Sequence, residues 1–584
     1  MIYLRTQQET GFLWLKTPVE RPAFKVRENI DSDDMVKGLL KKGLGAITSK
    51  QTSIFSAAFF IMLTTWFAYL LGFIKYRVFA IMYGESMGQL GVFFAAFKIP
   101  EFIFQVFIAS ALASAFIPVF SDYLLKDDTK AANKFASSIM TLGTTVYVFF
   151  AIIIAIFASQ ITSLIAPGLS SEELALMTSI TRIVIFSQIF FILGTVATGI
   201  LQSLQHFLLP GIALALYNLG IIIGVLLLEP YLGIHGAVVG VFIGAFLYFV
   251  LQIPLLAKSG YKFRVVFEVV DEVKTVLHLM IPRSATALLV QLSILATNVY
   301  FVSFISAKSI AVLEFAQTLW FAPVNLFGLS IAQATFPSLS KKSKDTKEFL
   351  SILIPSINQI LYLTLPISVL FIVLRIPIVR LVYGVDAFDW DATVTTGMTL
   401  ACLSLSIAAQ SLMYLLSRAF FALKNTRTPF IITAISVAVN VSLSYLFVMI
   451  LHKPVYFLAL SLSVSNILSA ILMLVALHWH VRLPKLEMSV SLAKILIATF
   501  IMGFSLYIPI KLLDQLVFDT TRTINLIILT GISSFFGLLS FLFFTWLLEI
   551  REAYYILAVV KKFSSRTPIL RNIGEIIDGP KLNT

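Results

Sequence analysis

The chain has 584 residues, of which 59% are hydrophobic and only 12% are charged. Soluble domains carry about 25% charged residues, so this composition excludes an ordinary soluble protein. In a soluble chain the net charge of +13 would indicate nucleic acid as a partner. Here the cations lie between long apolar runs, which indicates topology signals and contacts with anionic lipid, and no nucleic acid. Cys402 is the single cysteine, so no internal disulfide framework is expected.

Runs of about 20 or more apolar residues predict membrane-spanning helices. The sequence contains fourteen, which predicts an all-α polytopic membrane protein. The predicted spans are 53–83, 90–123, 135–166, 175–205, 209–229, 234–257, 281–305, 309–338, 350–382, 393–421, 429–451, 455–480, 489–512 and 523–549. Proline removes a helical hydrogen bond and kinks a helix. The hinge candidates on this ground are Pro100, Pro118, Pro323 and Pro337.

Basic residues mark one side of the predicted bundle. The connections after even-numbered spans are rich in lysine and arginine, for example residues 126–134 and 341–347. The connections after odd-numbered spans are poor in these residues, and the one at 386–391 is acidic. The positive-inside rule therefore places both termini in the cytoplasm, which agrees with an even number of spans.

Residues 261–280, between the sixth and seventh spans, predict an amphipathic helix. Four valines and Met280 recur there at helical spacing, and the charged residues lie on other faces. Such a helix would lie at the cytoplasmic surface of the membrane. A weaker amphipathic pattern covers residues 35–48.

Similar proline motifs in the two halves of the chain indicate an internal repeat. "FIPVFS" (116–121) resembles "TFPSLS" (335–340), and "LQHFLLP" (204–210) resembles "LKNTRTP" (423–429), both at an offset of 219 residues. The offset moves each span six spans along, which predicts two six-helix lobes of equal orientation around a central cavity. The predicted parts are a cytoplasmic extension with a short amphipathic helix (1–52), the first lobe (53–260), the linker helix (261–280), the second lobe (281–482), two extra helices (483–550) and a cytoplasmic tail (551–584).

Signatures of soluble enzymes are missing from the sequence. It contains no phosphate-binding G-x-x-x-x-G-K-[ST] loop, no metal-ligand spacing among its six histidines and no recognisable pair of nucleophile and base. The sequence therefore predicts a carrier, not an enzyme, without metal or cofactor. Without a nucleotide site, the membrane potential or a coupling ion would have to drive transport.

Five stretches of the chain resemble the MurJ/MviN family. They are "FFAAFKIP…ASAFIPVFSDYL" (93–124), "IAPGL" (165–169), "GILQSLQHFLLPGIALALYNLGIIIG" (199–224), "PSLSKK" (337–342) and "RAFFALKNTRTP" (418–429). The resemblance runs from about residue 53 to the end, and the stretches at 93–124 and 418–429 are the most specific. Members of this family are bacterial lipid II flippases of the multidrug/oligosaccharidyl-lipid/polysaccharide exporter superfamily.

The resemblance implies a cationic cavity between the lobes that takes the head group of an undecaprenyl-linked peptidoglycan precursor. Alternating access would carry it from the inner to the outer leaflet of the bacterial cytoplasmic (inner) membrane. Membrane lipids would be the other partner and a monomer the working form. The last two spans would hold the lipid tail in a groove, although ordinary lipid contact explains their phenylalanines equally well: Phe535, Phe536, Phe541, Phe543 and Phe544.

The chain departs from the family pattern at the positions of the cavity charges. The family's first span reads SRxLGFxRD, whereas this chain reads AYLLGFIKY over 68–76. Tyr69 and Lys75 therefore take the places of two arginines, and Tyr76 that of an acid. Lys75 alone keeps the sign of the charge. Further charged positions in spans 2 and 8 are replaced by Gly91, Phe104, Gln105, Ala109, Gln317, Thr318 and Phe321.

Charged residues that remain in or near the spans are the candidates for substrate binding. They are Lys75, Lys98, Glu101, Arg283, Glu314, Arg418 and Arg427. A charge that faces lipid costs several kcal/mol, so these side chains should face protein or water. Lys98 and Glu101 lie three residues apart and can pair on one helix face. Arg283 opens span 7 on the cytoplasmic side, where a diphosphate would first arrive.

Structural roles are the alternative for each of these residues. Lys75 can extend to the outer headgroups, Lys98 and Glu101 can form a static ion pair, and Arg418 and Arg427 can act as topology anchors. Two rival functions also stay open. One is export of another polyprenyl-linked glycan or a small cation within the same superfamily, and the other is a membrane scaffold that transports nothing.

Overall fold

The computed structural model describes residues 54–109, 116–268, 284–385, 387–516 and 523–554. These ranges are helical apart from short connections and contain no strand. Within them, thirteen helices are long and apolar enough to cross a membrane, and a helix pair bent by 43° gives a fourteenth span. The predicted all-α polytopic class is confirmed.

The spans are numbered α1 to α14 in chain order, and three short helices lie in the connections. The short helices are Ile117–Leu125, Ala158–Ile165 and Arg375–Tyr383. The spans are α1 Ile54–Tyr83, α2 Met87–Val106, α3 Thr129–Ile156, α4 Ser171–Ser203, α5 Leu208–Leu232, α6 Ile234–Lys258, α7 Ser284–Phe301, α8 Ala307–Lys341, α9 Thr346–Val373, α10 Trp390–Ser404 with Ile407–Ala422, α11 Arg427–Ile450, α12 Tyr456–Val481, α13 Lys485–Leu513 and α14 Thr523–Leu547.

The helix contacts of the first six spans recur in the next six. In the first lobe α1 packs on α5, α2 on α4, α4 on α6 and α5 on α6. In the second lobe α7 packs on α11, α8 on α10, α10 on α12 and α11 on α12. The two additional helices, α13 and α14, pack on each other, and α13 also packs on α9. Two six-helix lobes with two further helices therefore make up the fold.

Equivalent helix pairs in the two lobes use different small residues to pack closely. Between α5 and α6, Gly220 lies against Gly244 and Gly224 against Gly240, and a methyl group at either α5 position would meet backbone atoms of α6. Small residues let the backbones approach closely where lipid supplies no hydrophobic driving force. At the matching contact of α11 with α12 the small residues are serines instead.

A buried amide joins three helices of the second lobe. Asn440 of α11 is 1% exposed. Its Nδ2 donates to Ser293 Oγ at 3.1 Å and to Thr297 Oγ1 at 2.8 Å, both on α7. Its Oδ1 accepts from Ser461 Oγ of α12 at 3.0 Å, and the Ser461 hydroxyl is 2.9 Å from that of Ser444. This neutral network fixes α7, α11 and α12 to one another.

Replacing Asn440 by alanine should lower the stability of the protein in detergent. Three hydrogen bonds are lost, and at roughly 0.6 kcal/mol for each interhelical bond in a membrane protein the cost is about 2 kcal/mol. Thermal unfolding of the purified protein measures it. Ser505→Ala is the matched control, since the one interhelical contact it removes is the 2.9 Å hydroxyl contact with Ser540 between α13 and α14; its other bond, to the Ile501 carbonyl at 3.2 Å, lies within α13. Equal shifts for the two variants would contradict the role given to the network.

π-Helical turns follow two of the four hinge candidates. Pro100 precedes the π-helical turn Phe104–Ala109 in α2, and Pro323 precedes Val324–Leu329 in α8. Proline donates no hydrogen bond, and a π turn is one way in which a helix absorbs that defect. Pro118 lies in the first turn of its short helix, and Pro337 lies inside α8. Motion at these prolines stays a prediction.

The predicted amphipathic helix over 261–280 is wrong for its first eight residues. Residues 261–268 form no regular structure. Their backbone bonds instead to hydroxyls of α3, with N–H groups donating to Ser137 and Thr141 at 3.2 Å and Ser138 donating to a carbonyl at 2.7 Å. Because side chains satisfy these backbone groups, no helix is needed there to satisfy them.

Several predicted features lie outside the described residues. They include the extension at 1–52, with its weak amphipathic pattern, and residues 269–280 of the linker helix. Arg283 and the tail from residue 555 onwards also belong to this set. The boundaries predicted for these parts stay predictions.

Candidate functional site

The two lobes meet at the helix ends opposite the basic connections. There α2 packs on α8, and the short helix Arg375–Tyr383 packs on α1. Gly91 of α2 allows this approach, because a Cβ at its position would collide with the carbonyl group of Ala307. Arg77 Nη1 donates across the interface to the carbonyl oxygen of Leu381 at 2.8 Å. The lobes are therefore closed at this end.

A cluster of charges crosses the closed interface. Lys98 Nζ of α2 lies 3.2 Å from Glu314 Oε2 of α8 and 3.4 Å from Glu101 Oε2 of its own helix. Tyr76 of α1 donates its hydroxyl proton to Glu314 Oε1 at 3.2 Å. Lys98 thus has one carboxylate partner in its own lobe and one in the other lobe.

The charge cluster lies within the membrane-spanning part of the bundle. Tyr76 and Glu314 are each seven residues from the ends of their helices at the closed side, and Lys98 is eleven residues away. At 1.5 Å per residue these positions lie about 10 and 16 Å inside the bundle. The side chains of Lys98 and Glu314 are each only 16% exposed, so pairing compensates their removal from water.

Aromatic rings seal the interface next to the charge cluster. Phe315 of α8 is fully buried and is flanked by rings of both lobes. Its centroid lies 5.8 Å from that of Tyr76, 6.3 Å from that of Phe94 and 4.7 Å from that of Tyr383. Edge-to-face and tilted pairs at these distances are favourable. They exclude water from one side of the Lys98–Glu314 pair.

An acidic connection at the same end ties α8 to α10. Lys308 Nζ lies 3.0 Å from Asp389 Oδ2 and 2.9 Å from Asp391 Oδ2. Partial burial opposes ionisation of Asp389, but hydrogen bonds from the Ala392 N–H and the Lys308 ammonium outweigh it, so the pKa of Asp389 lies below its usual range. The acidic residues of this connection therefore act within the second lobe.

Lys75 is close to the charge cluster but is not paired in it. Its Nζ lies 4.7 Å from the centroid of the neighbouring Tyr76 ring. It makes no salt bridge with any carboxylate in the part of the chain that the structure describes. A partly buried, unpaired ammonium is available to an anion.

The remaining candidates lie away from the cluster. Arg418 of α10 donates to the Tyr414 carbonyl at 3.2 Å, and the Tyr414 side chain is close to Tyr69 of α1 in the other lobe. This places Arg418 near the wall between the lobes, toward the basic side. Arg427 is exposed at the first residue of α11. The structure thus brings Lys98, Glu101 and Glu314 together and leaves both arginines apart from them.

An apolar groove of about 500 Å³ runs between α13 and α14. Phe536 and Phe543, two of the predicted lipid-tail residues, line it with Pro509 of α13. Phe541, a third predicted lipid-tail residue, does not line the groove. It is 2% exposed, and the centroid of its ring lies 5.1 Å from that of Tyr362. The groove suits an extended hydrocarbon chain.

Repeated six-helix lobes that close against each other at one end define a two-lobe membrane transporter. A family model described as "Lipid II flippase MurJ" matches residues 87–528, more than half of the chain. The chain therefore belongs to the MurJ family of lipid II flippases. The resemblance that the sequence motifs carried is confirmed.

Individual relatives agree with this assignment. The "Probable lipid II flippase MurJ" of Rickettsia prowazekii is 27% identical over 402 residues, 68% of this chain and 78% of its own length. The "Lipid II flippase MurJ" of Thermosipho africanus is 27% identical over 422 residues, 72% of this chain and 85% of its own length.

Solved structures extend the comparison to the fold. "Lipid II flippase MurJ, inward closed conformation" superposes with a TM-score of 0.70 at 27% identity and covers 83% of this chain and 97% of that one. An inward-facing multidrug transporter of the MATE family, in the MOP superfamily, matches with a TM-score of 0.61 at 14% identity, over 71% of this chain and 94% of that one. The latter shows a shared fold only.

Proposed function

We propose that this chain moves lipid II from the inner to the outer leaflet of the bacterial cytoplasmic membrane by alternating access. The observation that carries the proposal is the Lys98–Glu314 ion pair, which joins the two lobes of a MurJ-family fold at one end. Such a pair forms when the lobes close and breaks when they part. By the positive-inside rule the closed end faces outward, and both termini lie in the cytoplasm.

Lys98 keeps a partner throughout this cycle. When the lobes part it loses Glu314 but retains Glu101, which lies one helical turn away on α2. The Lys98 ammonium therefore always has a carboxylate partner in the membrane, where an unpaired charge costs free energy. Glu314 is the group that loses its ammonium partner, at the moment when water or a cation from outside can reach it.

Two cations are proposed to bind the diphosphate of the head group. Lys75 lies beside the closed contact and Arg418 lies further toward the basic side, and neither pairs with a carboxylate among the described residues. Ammonium and guanidinium groups are suitable partners for phosphate oxygens. They would take over from the arginines that the family pattern places at Tyr69 and Phe104.

The driving force is proposed to be the membrane potential or an ion gradient, with a monomer as the working form. The sequence has no phosphate-binding loop for ATP. A charged diphosphate substrate responds to the potential at about 2.3 kcal/mol per charge for each 100 mV. No covalent step and no cofactor enter this scheme.

Complementation of a bacterium depleted of its own lipid II flippase tests the proposed function. The wild-type chain should restore growth. Arg418→Ala and Lys75→Ala should each lower rescue about tenfold, since a lost charge-assisted contact is worth about 1.5 kcal/mol or more. Arg427→Ala, at an exposed position on the same side, is the matched control and should rescue fully.

Membrane levels of each variant must be compared by immunoblot. Because a foreign host can lack a needed partner, flipping of fluorescent lipid II in proteoliposomes provides the second assay. Failure in both assays with folded protein would contradict lipid II as the substrate. It would favour another polyprenyl-linked glycan, as the replaced cavity arginines also do.

A further inference from the structure

A second cavity lies on the basic side of the second lobe, remote from the contact between the lobes. It has a volume of about 370 Å³ and is bounded by α9, α10, α12 and α13. It lies where α12 ends at Val481 and α13 begins at Lys485. The positive-inside rule places this junction at the cytoplasmic surface of the membrane.

Most of the cavity wall is apolar, but four polar groups open onto it. Leucines and methionine from all four helices form the apolar part. The polar groups belong to Asn358, His478, Lys485 and Ser489. His478 Nδ1 is buried and has no hydrogen-bond partner. Asn358 is half-buried, and Lys485 and Ser489 are exposed. Among the described residues, the side chains of these three make no hydrogen bond or ion pair with the protein.

Polar groups that converge unpaired on an apolar cavity are the usual signature of a ligand site. The buried Nδ1 of His478, which has no partner, costs free energy, so a ligand that reaches it with a hydrogen-bonding group is favoured. The ammonium of Lys485 favours a negatively charged group on the ligand. The amide of Asn358 and the hydroxyl of Ser489 can donate hydrogen bonds to oxygen atoms of the ligand. The leucine-lined part of the cavity favours a hydrocarbon group on the ligand. The ligand is therefore an amphiphile with an anionic, oxygen-rich head.

We propose that this cavity binds one anionic glycerophospholipid of the cytoplasmic leaflet. Its phosphate would lie against Lys485, Asn358 and Ser489, and the first carbons of one acyl chain would enter the leucine-lined part. Basic pockets between membrane helices on the cytoplasmic side are typical sites for such head groups. The site is distinct from the α13–α14 groove and does not depend on which substrate the protein transports.

The size and surroundings of the cavity agree with this occupant. At about 30 Å³ for a group the size of a water molecule, it holds roughly a dozen non-hydrogen atoms. That is enough for a phosphate and the start of one chain, and the rest of the lipid stays in the bilayer. Trp479, which lines the cavity, is 78% exposed. Tryptophan is enriched at the level of lipid head groups, which is where the proposal places the site.

Lipid bound here would join the second lobe to the two additional helices. Asn358 belongs to α9, His478 to α12, and Lys485 and Ser489 to α13. One phosphate bonded to three of these groups would hold α13 against the lobe. Anionic lipid should therefore raise the thermal stability of the protein.

Lipid titration of the delipidated full-length protein tests the proposal, with binding read by native mass spectrometry and by thermal unfolding. Phosphatidylglycerol should bind about fivefold more tightly than phosphatidylcholine, the factor expected for one lysine at an anionic head group. Lys485→Ala should abolish that difference, and Lys485→Arg should keep it. Lys341→Ala, at an exposed position in the last turn of α8 on the same side, is the matched control and should behave as the wild type.

A spectroscopic readout places the lipid at this cavity. Phosphatidylglycerol with a brominated acyl chain should quench the part of the fluorescence that disappears in Trp479→Phe. Equal binding of the two phospholipids, or unchanged selectivity in Lys485→Ala, would overturn the proposal. Preferential displacement of phosphatidylglycerol by undecaprenyl phosphate would also overturn it, because the site would then belong to the polyprenyl carrier.

Discussion

Oxidation of a Gly88→Cys/Ala307→Cys double variant is expected to abolish transport, and reduction to restore it. A Cβ built on Gly88 of α2 lies 4.0 Å from Cβ of Ala307 at the start of α8. Disulfides have Cβ–Cβ distances of about 3.5–4.5 Å, so the separation of this pair is within the range that a disulfide across the closed lobes requires. The bridge would hold the lobes together at the proposed outer end and stop alternating access.

The chain makes this experiment simple to control. Cys402 is its only cysteine, so Cys402→Ser provides a cysteine-free background. Each single cysteine variant should transport equally well under oxidising and reducing conditions. Transport that continues in the fully cross-linked double variant would show that the lobes need not part at this end, and alternating access as described would be wrong.

Removal of the Lys98 charge should have the largest effect of any single substitution in the cluster. Lys98→Met removes the cation that contacts the carboxylates of both Glu101 and Glu314. Breaking a buried ion pair from one side costs about 3–5 kcal/mol, and the low end applies here because both side chains retain 16% exposure. The variant should unfold at lower temperature and fail to complement.

A double-mutant cycle separates the pair from general damage. Glu314→Gln should cost less, because Lys98 keeps Glu101 and the amide can still accept the proton of Tyr76. The combined Lys98→Met/Glu314→Gln variant should be more stable than Lys98→Met alone, since a single carboxylate then remains. Additive losses in the double variant would mean that Lys98 and Glu314 do not interact in solution.

Much of the fold follows from local properties of the sequence. The number of spans and their helical structure depend on the length of the apolar runs. Inside a bilayer there is no water, so each crossing segment must form its backbone hydrogen bonds within itself, as a helix does. The six-span repeat could be found because two proline motifs recur at a fixed offset. The prediction of a linker helix was wrong over 261–268. Hydroxyl groups of α3, more than 120 residues earlier in the chain, form hydrogen bonds with the backbone of that segment.

The candidate site was only partly predictable. Charges inside spans could be recognised as costly, and Lys98 and Glu101 could be paired from their spacing of three residues. Glu314 could be suspected but not assigned to Lys98, which lies 216 residues away in the chain. The bond from Tyr76 and the cross-lobe bond of Arg77 were missed, because no spacing rule links α1 to the second lobe.

The sequence by itself determined that this protein is a polytopic helical carrier of the MurJ family, since hydrophobicity, repeat and motifs are local. Only the tertiary structure decided which end of the bundle is closed, which carboxylate of the other lobe Lys98 meets and where unpaired polar groups surround a cavity. These features depend on contacts between helices far apart in the chain. A lipid environment constrains each helix separately, whereas the pairing of helices is set by the fit of their side chains in three dimensions.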